Sequence, residues 1–244
     1  MGRLLGIGTD VGNKRSFNED SVGYYEDENF GIYIVADGMG GHNAGEVASK
    51  MAKDVVINYV LNHRDEESPE EILNEALQNA NRRIYREGLL NEECNGMGTT
   101  ITGALLRGDE LTVVNVGDSR VYVLRDGQLI KVTKDHSLVQ ELLDNGTITI
   151  EEAKNHPNRN VITRAVGTNP VVRADYYDLN LKNVEKVLLC SDGLTNEVSE
   201  DEILEVLKSN EENPCQQLIN MSKENGGRDN ISVIIFKGEW RSRW

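Results

Sequence analysis

The chain has 244 residues, of which 38% are hydrophobic and 5% aromatic, and its formal net charge is −15. This size and composition are ordinary for one globular domain, and the negative charge argues against nucleic acid or an anionic membrane as a partner, because both need a basic face. No apolar run approaches the roughly 20 residues that a membrane-spanning helix requires, so we expect no membrane insertion.

Three cysteines, Cys94, Cys190 and Cys215, form no CxxC pair and leave one thiol over in any disulfide scheme. The N-terminal residues also lack the long apolar region of a signal peptide. Both features predict a protein of a reducing compartment, the cytoplasm.

The hydrophobic pattern predicts strands and helices in alternating groups. A helical apolar stripe begins near residue 44, and Ser68-Pro69 followed by two glutamates starts a second helix. Predicted strands cover residues 4–10, 21–25, 30–34, 99–106, 111–116, 121–124, 128–132, 174–179, 186–190 and 231–237. Predicted helices cover residues 44–61, 68–88, 137–143, 149–154, 199–208 and 214–224. In such an order helices cover the outer faces of packed sheets.

The stretch VADGMGGHNAGE of residues 35–46 follows a β-branched and aromatic run and precedes a helical pattern. It predicts a strand, a tight turn and a helix, with Asp37 at the tip of the strand and glycines that let backbone carbonyls approach a ligand. By itself Asp37-Gly38 is equally consistent with a simple turn.

The same arrangement recurs along the chain. Asp118 and Asp192 each follow a strand-like run, Asp229 precedes one, and Asn18-Glu19-Asp20 precedes another. Carboxylates that converge on one sheet end repel each other, and a bound divalent cation is the usual compensation. Ligands that are all oxygen favour Mg²⁺ or Mn²⁺ over Zn²⁺.

A contrasting Asp-Gly pair is Asp126-Gly127, which lies between two short predicted strands. It predicts a plain hairpin turn with no chemistry.

Short blocks along most of the chain match one enzyme family. They are TDVG at 9–12 with Arg15 and NED at 18–20, residues 36–49, GMGTT at 96–100, VGDSR at 116–120, TKDHSL at 133–138, HP at 156–157 with RN at 159–160, SDGL at 191–194 and GRDN at 227–230. In these blocks and their order the chain resembles the bacterial PP2C-type, metal-dependent protein serine/threonine phosphatases (the PPM family).

The resemblance implies an α+β fold, a four-layer α-β-β-α sandwich of two antiparallel sheets flanked by helix pairs. It also implies a single domain over residues 1–244, with a variable flap segment around residues 145–167 beside the active site.

The resemblance assigns roles to seven residues around a binuclear Mn²⁺ or Mg²⁺ centre. Asp37 is implied to bridge the two ions and the Gly38 carbonyl to bind the second, while Asp192 and Asp229 complete the first. Asp20 is implied to act through metal-bound water, with Glu19 the weaker candidate of that pair. Asp118, with Asp192, is implied to hold a third and more labile ion, and Arg15 to grip the phosphate. A surface or capping carboxylate, or a surface salt bridge for Arg15, is the alternative for each.

One position departs from the animal members of the family. Those relatives have a histidine after the Asp-Gly pair that is thought to protonate the leaving group, and this chain has Met39 there. A metal-bound water or another group is then the expected acid. His42, His136 and His156 are not assigned to catalysis, because a lone histidine is more often a structural hydrogen-bonding residue.

The leading hypothesis is therefore a phosphatase that hydrolyses phosphoserine and phosphothreonine in proteins with a metal-activated water, opposing a cognate bacterial Ser/Thr kinase. No cysteine is followed by an arginine six positions later, as a cysteine-dependent phosphatase would require. The residue two positions before Asp37 is Val35, so the Asp-x-Asp motif of an aspartyl-phosphate phosphatase is absent there as well. Two alternatives stay open: a non-catalytic pseudophosphatase that binds a phosphoprotein, and a metal phosphoesterase that acts on a small molecule.

Overall fold

The computed structural model describes residues 3–40, 44–65, 68–209 and 212–238. The strands are β1 (Leu4–Asp10), β2 (Asp20–Glu26), β3 (Phe30–Met39), β4 (Gly98–Thr99), β5 (Ile101–Arg107), β6 (Glu110–Val116), β7 (Arg120–Arg125), β8 (Gln128–Lys131), β9 (Asp175–Asn180), β10 (Val184–Cys190) and β11 (Ile231–Lys237). The helices are α1 (Ala44–His63), α2 (Pro69–Leu90), α3 (Leu138–Asp144), α4 (Ile150–Lys154), α5 (Asp192–Thr195), α6 (Glu200–Lys208) and α7 (Pro214–Glu224).

The strands form two antiparallel sheets. The first has the order β1-β11-β10-β7-β8, and the second has the order β2-β3-β5-β6-β9, with the short strand β4 also paired to β3. The second sheet keeps the order of the sequence, but the first does not, so strands from the two ends of the chain lie side by side in the first sheet. Asp10 of β1, for example, pairs with Ile231 of β11. This crossing of the chain brings distant loops to common sheet ends.

Helices cover the outer face of each sheet. Val56 of α1 and Leu77 of α2 share one apolar cluster with Ile34 of β3. Ile203 of α6 shares a second cluster with Ile235 of β11. All five side chains are excluded from solvent because each helix turns its apolar stripe toward its sheet.

A third apolar cluster lies between the two sheets and closes the sandwich. Tyr33 and Val113 from one sheet meet Leu189 and Phe236 from the other, and all four side chains are inaccessible to solvent. The rings of Tyr33 and Phe236 are stacked, with centroids 3.9 Å apart and planes 8° from parallel. The order helix pair, sheet, sheet, helix pair confirms the predicted four-layer α-β-β-α architecture.

A helix start and a hairpin turn form where the sequence predicts them. Ser68 caps α2, accepts a hydrogen bond from the Glu71 backbone and forms a reciprocal capping box with that residue. The Asp126-Gly127 pair joins β7 to β8, and both residues have positive φ, 50° and 73°. That conformation is the tight hairpin turn predicted for this pair.

Two predicted elements differ from those observed. The predicted strand at 99–106 is divided into β4 and β5, with Thr100 between them. The strand carrying Asp37 does not end there but continues to Met39, because Gly38 and Met39 pair with β4. Asn43, a residue type that favours the N-cap position before a helix, the neighbouring His42 and the tail at 239–244 lie outside the described residues.

Neither α1 nor α2, nor any shorter helix in the described ranges, combines the length and apolar character needed to cross a bilayer. The thiols of Cys94, Cys190 and Cys215 are free and buried.

Candidate active site

The five predicted aspartates lie together at one end of the sandwich. Asp20 begins β2 directly opposite Asp37 in β3, Asp118 follows β6, Asp192 opens α5 after β10, and Asp229 precedes β11. Burial, followed by the charges of the other four aspartates, raises the pKa of Asp37 well above its usual range. Five carboxyl groups from five segments therefore act on one another at a single place.

Asp20 is the most deeply enclosed of these residues. Its Oδ2 atom accepts a hydrogen bond of 2.8 Å from the Ser191 hydroxyl, whereas its buried Oδ1 atom has no hydrogen-bond partner. Burial, together with the charges of Asp192 and Asp229, raises the pKa of this carboxyl to about 7, although hydrogen bonds from Ser232 and Ser191 oppose the shift. An orphaned, buried carboxylate oxygen is costly unless a proton or a cation approaches it.

Asp37 and Asp192 form a close pair. Burial and the nearby Asp229 raise the pKa of Asp192, while a hydrogen bond with Asp37 lowers it. Two adjacent carboxyl groups can share one proton or one cation between them. Asp192 also accepts a hydrogen bond of 2.9 Å from the Asn196 amide, one helical turn later in the chain.

Gly38 lies where three segments of backbone meet. A Cβ atom at this position would be 2.2 Å from the carbonyl oxygen of Gly45 in α1 and 2.4 Å from that of Glu19. The Gly38 N–H donates a hydrogen bond of 3.1 Å to the same Glu19 carbonyl. No side chain fits here, so glycine is required for the close contact between β3, the start of α1 and the Glu19 loop.

The loop between β1 and β2 carries Arg15 to the site. The Arg15 Nη2 atom lies 2.8 Å from Oδ2 of Asp229, and the arginine side chain is 53% exposed. A surface salt bridge was the predicted alternative to phosphate binding for Arg15. The salt bridge observed here is made with Asp229, one of the five clustered aspartates. Arg15 therefore brings a guanidinium group, which binds carboxylate or phosphate oxygens, to the edge of the site.

Asn230 fixes that loop, a role that the sequence prediction missed. Its Oδ1 atom accepts the Glu19 N–H at 2.8 Å, and its Nδ2 atom donates to the carbonyls of Val11 and Phe17 at 3.0 Å each. The side chain is 6% exposed. An amide just before a buried strand was the available signal, but its partners, more than 200 positions away, cannot be identified from sequence.

Asp118 is held beside a buried ionic group. Burial raises the pKa of Asp118 to about 8, with Asp192 and Asp135 adding to the effect. Arg120 contacts both carboxylate oxygens of Asp135, with Nη2 2.8 Å from Oδ2. This pairing compensates the charge of Asp135 but leaves that of Asp118 to be balanced from another source.

The histidines play structural parts in the described region. The Nδ1 atom of His136 accepts the Gly117 N–H at 3.1 Å, and its Nε2 atom lies 3.1 Å from Oδ2 of Asp175. Burial lowers the pKa of His136. His156 accepts a hydrogen bond from the Asn158 backbone in an irregular loop.

The donor chemistry of the site fits hard divalent cations. Within the described ranges no group of three or more His, Cys, Asp or Glu side chains is already arranged to hold a metal ion. However, the mutual repulsion of five aspartates and the orphaned oxygen of Asp20 are the features that a cation would relieve. Asp37, Asp192 and Asp229 could hold such ions, with the buried carboxyl groups of Asp20 and Asp118 nearby.

Comparison with known proteins identifies relatives of this chain. The family model described as protein phosphatase 2C matches residues 7–230. The serine/threonine phosphatase Stp of Listeria monocytogenes is 41% identical over 235 residues, which cover 94% of this chain and 93% of that protein.

Two solved structures are similar over almost the whole chain. The crystal structure of the serine/threonine phosphatase Stp1 from Staphylococcus aureus has a TM-score of 0.90 and 36% identity, and the match covers 98% of this chain and 96% of that chain. The catalytic domain of the serine/threonine protein phosphatase PstP, solved in complex with two manganese ions, has a TM-score of 0.80 and 37% identity over 95% of this chain and 96% of its own.

Proposed function

The chain belongs to the protein phosphatase 2C family, and on that basis we propose that it hydrolyses phosphoserine and phosphothreonine in proteins with the help of Mn²⁺ or Mg²⁺. The observation that carries the proposal is the gathering of Asp20, Asp37, Asp118, Asp192 and Asp229 at one end of the sandwich. A phosphoprotein is itself anionic, so only a site whose carboxylates are neutralised by cations can receive it.

The proposed ligands are those that the family resemblance implies. Asp37 would be shared by two ions, the Gly38 carbonyl would bind one of them, and Asp192 and Asp229 would bind the other. Asp20 would act through water, and Asp118 would join Asp192 at a third ion. When bound, the ions supply a water of lowered pKa as the nucleophile and positive charge that stabilises the phosphoryl oxygens.

The chain's own groups orient the substrate. Arg15 lies at the rim, half exposed, with its Nη2 atom on Asp229. Its planar fork can turn toward two phosphoryl oxygens and hold the phosphorus atom in line with the nucleophile. Met39 stands next to Gly38 and has no proton to give. The proton for the leaving serine or threonine oxygen must then come from solvent or from another group of the site.

The segment around residues 145–167 is proposed as a flap that helps select the protein substrate. Its C-terminal part is tied to the body of the protein at two isolated bridges, Ser137 with Ile162 and Thr99 with Val166. Between these anchors and α3, Ile150 and Val161 are exposed, at 71% and 46%. Exposed apolar side chains beside an active site suit contacts with a polypeptide.

The biological setting is also part of the proposal. A phosphatase of this kind would act in the cytoplasm as a single catalytic domain over residues 1–244 and would oppose a cognate Ser/Thr kinase. Its reduced, buried cysteines suit a reducing compartment.

The proposal is tested by assaying the purified protein on a phosphothreonine peptide with Mn²⁺ and with excess chelator, together with Asp192→Asn and Asp126→Asn. The second variant is the matched control, because Asp126 lies in a hairpin turn that asparagine also adopts. We expect turnover only with metal, a loss of at least about a hundredfold in Asp192→Asn, and no change in Asp126→Asn.

Other outcomes identify the alternatives. Turnover that survives both chelator and Asp192→Asn would refute the metal mechanism. Binding of the phosphopeptide without turnover would indicate a pseudophosphatase. Efficient hydrolysis of small phosphomonoesters with none of the peptide would indicate a small-molecule phosphoesterase.

A further inference from the structure

Thr100 lies directly opposite Asp37 at the break between β4 and β5. Val35 pairs with Thr102 and Gly38 pairs with Thr99, so the same register sets Thr100 against Asp37. The two residues exchange hydrogen bonds: the Thr100 N–H donates to the Asp37 carbonyl at 2.8 Å, and the Asp37 N–H donates to the Thr100 hydroxyl at 2.9 Å. The backbone of Asp37 is thereby fixed through a side chain rather than by strand pairing alone.

The Thr100 hydroxyl also reaches a second part of the site. Its Oγ1 atom lies 2.9 Å from Oγ of Ser119, the residue after Asp118, and either hydroxyl can donate. Thr100 is 1% exposed and Ser119 is fully buried. Water cannot reach this buried position to replace a lost hydrogen bond. The contact between the β4–β5 break and the Asp118 loop therefore depends on the side chains of Thr100 and Ser119.

The methyl branch of Thr100 touches the residue on the other side of Asp118. A Cβ atom on Gly117 would lie 2.5 Å from the Thr100 Cγ2 atom, and Gly117 has a φ of 107°. The loop therefore rests its glycine directly on the threonine methyl group. Hydroxyl and methyl together hold Asp118 from both of its neighbours, Gly117 and Ser119.

We propose that Thr100 is a positioning residue that sets the Asp37 strand at a fixed distance from the Asp118 loop. This inference rests on the proposed function, since both aspartates are proposed metal ligands. It assigns a role to the GMGTT block at residues 96–100: the block's last threonine joins the strand that carries Asp37 to the loop that carries Asp118. Preorganisation of this kind lets ligands from separate segments meet ions without rearrangement.

Three substitutions separate the contacts of Thr100. Thr100→Val keeps the branched shape but removes the hydroxyl and leaves the buried Asp37 N–H without an acceptor. Thr100→Ser keeps the hydroxyl and removes only the methyl contact with Gly117. Ser119→Ala breaks the link to the Asp118 loop and leaves the Asp37 N–H satisfied.

Thr112→Val is the matched control for loss of a buried threonine hydroxyl. Thr112 is 5% exposed, and its hydroxyl donates to Asp178 at 2.7 Å, on β6 and β9 rather than in the acidic cluster. Any general effect of removing a buried threonine hydrogen bond is therefore also present in this variant.

The test measures Mn²⁺ binding by titration calorimetry and by the rise of the thermal midpoint, beside kcat and KM on a phosphothreonine peptide. For Thr100→Val we expect Mn²⁺ affinity and kcat to fall by about tenfold, the effect of one or two lost buried hydrogen bonds, with KM changed less than twofold. Thr100→Ser should recover most of both losses, Ser119→Ala should fall between Thr100→Ser and Thr100→Val, and Thr112→Val should bind Mn²⁺ as the wild type does.

Two results would overturn the inference. One is wild-type Mn²⁺ binding and kcat in Thr100→Val, and the other is an equal loss in Thr112→Val. If the wild-type protein itself neither bound Mn²⁺ nor required it, the proposed function would fail, and that result is distinguished because it does not depend on any variant.

Discussion

The Nη2 atom of Arg15 lies 2.8 Å from Oδ2 of Asp229, so the guanidinium group at the rim of the site is paired with a proposed metal ligand. An ion bound at Asp229 would compete with Arg15 for the same carboxylate, and a phosphate brought by the substrate would offer the guanidinium a better bidentate partner. Arg15 can thus be held ready on Asp229 and transferred to the substrate when ions are present.

Replacing Arg15 tests this exchange. We expect Arg15→Ala to lower kcat/KM on a phosphothreonine peptide by about 10- to 100-fold, since a charged hydrogen bond contributes about 1.5–3 kcal/mol. Arg15→Lys keeps the positive charge but not the planar guanidinium, so its kcat/KM should lie between those of the wild type and Arg15→Ala. The Mn²⁺ concentration for half-maximal activity should stay the same or decrease, because a competing cation is gone.

The control for Arg15 is Arg64→Ala, which removes another exposed arginine whose Nη1 lies 2.9 Å from an aspartate, Asp27. It should leave the kinetics unchanged. A higher Mn²⁺ requirement in Arg15→Ala with an unchanged KM would show that Arg15 only orients Asp229.

Metal binding should depend on pH in a direction set by Asp20 and Asp118. Burial raises the pKa of these carboxyls from 3.8 to about 7 and about 8. An acid with a raised pKa stabilises the folded chain while protonated; that contribution is complete below pH 3.8 and is lost as the pH rises through the folded values. Without metal, the thermal midpoint should therefore fall between about pH 6 and about pH 8.

Saturating Mn²⁺ should offset this loss, because above the raised pKa values the ion no longer displaces protons. We expect the Mn²⁺-induced rise in the thermal midpoint to be larger at about pH 8 than at about pH 6. Differential scanning fluorimetry at the two pH values, with saturating Mn²⁺ and with chelator, measures this rise. A rise of the same size at both pH values would contradict the prediction, and Asp20→Asn should reduce the difference.

The local elements of the fold could be predicted from sequence, whereas the contacts between them could not. The hairpin at Asp126-Gly127 depends only on two adjacent residues that tolerate positive φ, so this pair is sufficient to predict the turn from the sequence. The extension of β3 past Asp37 depends on β4, about 60 positions later, whose pairing is not encoded in either segment alone. Non-local pairing is the general reason that strand ends are hard to predict.

The same distinction applies to the candidate site. The aspartates were identifiable because each follows or precedes a predicted strand, four of them in a glycine-containing block, and a resemblance to a family gave their roles. Thr100 and Asn230 were inside recognised blocks but received no role, because their function is visible only when the partners of their side chains are known.

Stability of the sandwich should depend strongly on the stacked pair Tyr33 and Phe236, which joins the two sheets. Phe236 is fully buried, so Phe236→Ala should lower the free energy of unfolding by about 3–5 kcal/mol, and Phe236→Leu by less because it leaves a smaller cavity. Phe17→Ala is the control, since Phe17 is 61% exposed and its loss should cost under about 0.5 kcal/mol.

Urea unfolding in excess chelator measures these differences without a contribution from bound ions. A cost for Phe236→Ala no larger than that for Phe17→Ala would mean that the inter-sheet contact is not formed as described.

The end of the proposed flap is fixed to the active-site loop through a short chain of side chains. Arg164 contacts Oδ1 of Asp175 at 2.8 Å, His136 contacts Oδ2 of the same carboxylate, and His136 accepts the Gly117 N–H next to Asp118. Although burial opposes it, hydrogen bonds from His136 and Arg164 lower the pKa of Asp175. The Asp175 carboxylate therefore stays ionised and holds both partners.

Asp175→Asn should loosen this anchor while keeping the shape of the side chain. We expect KM for a phosphoprotein to rise several-fold, about 3- to 10-fold for a weakened ion pair, with kcat/KM for a small aryl phosphate changed less than about twofold, because a small substrate does not contact the flap. Asp178→Asn, on the same strand β9, is the matched control and should behave as the wild type. Equal losses on the protein and on the small substrate would show that Asp175 supports the Asp118 loop rather than the flap.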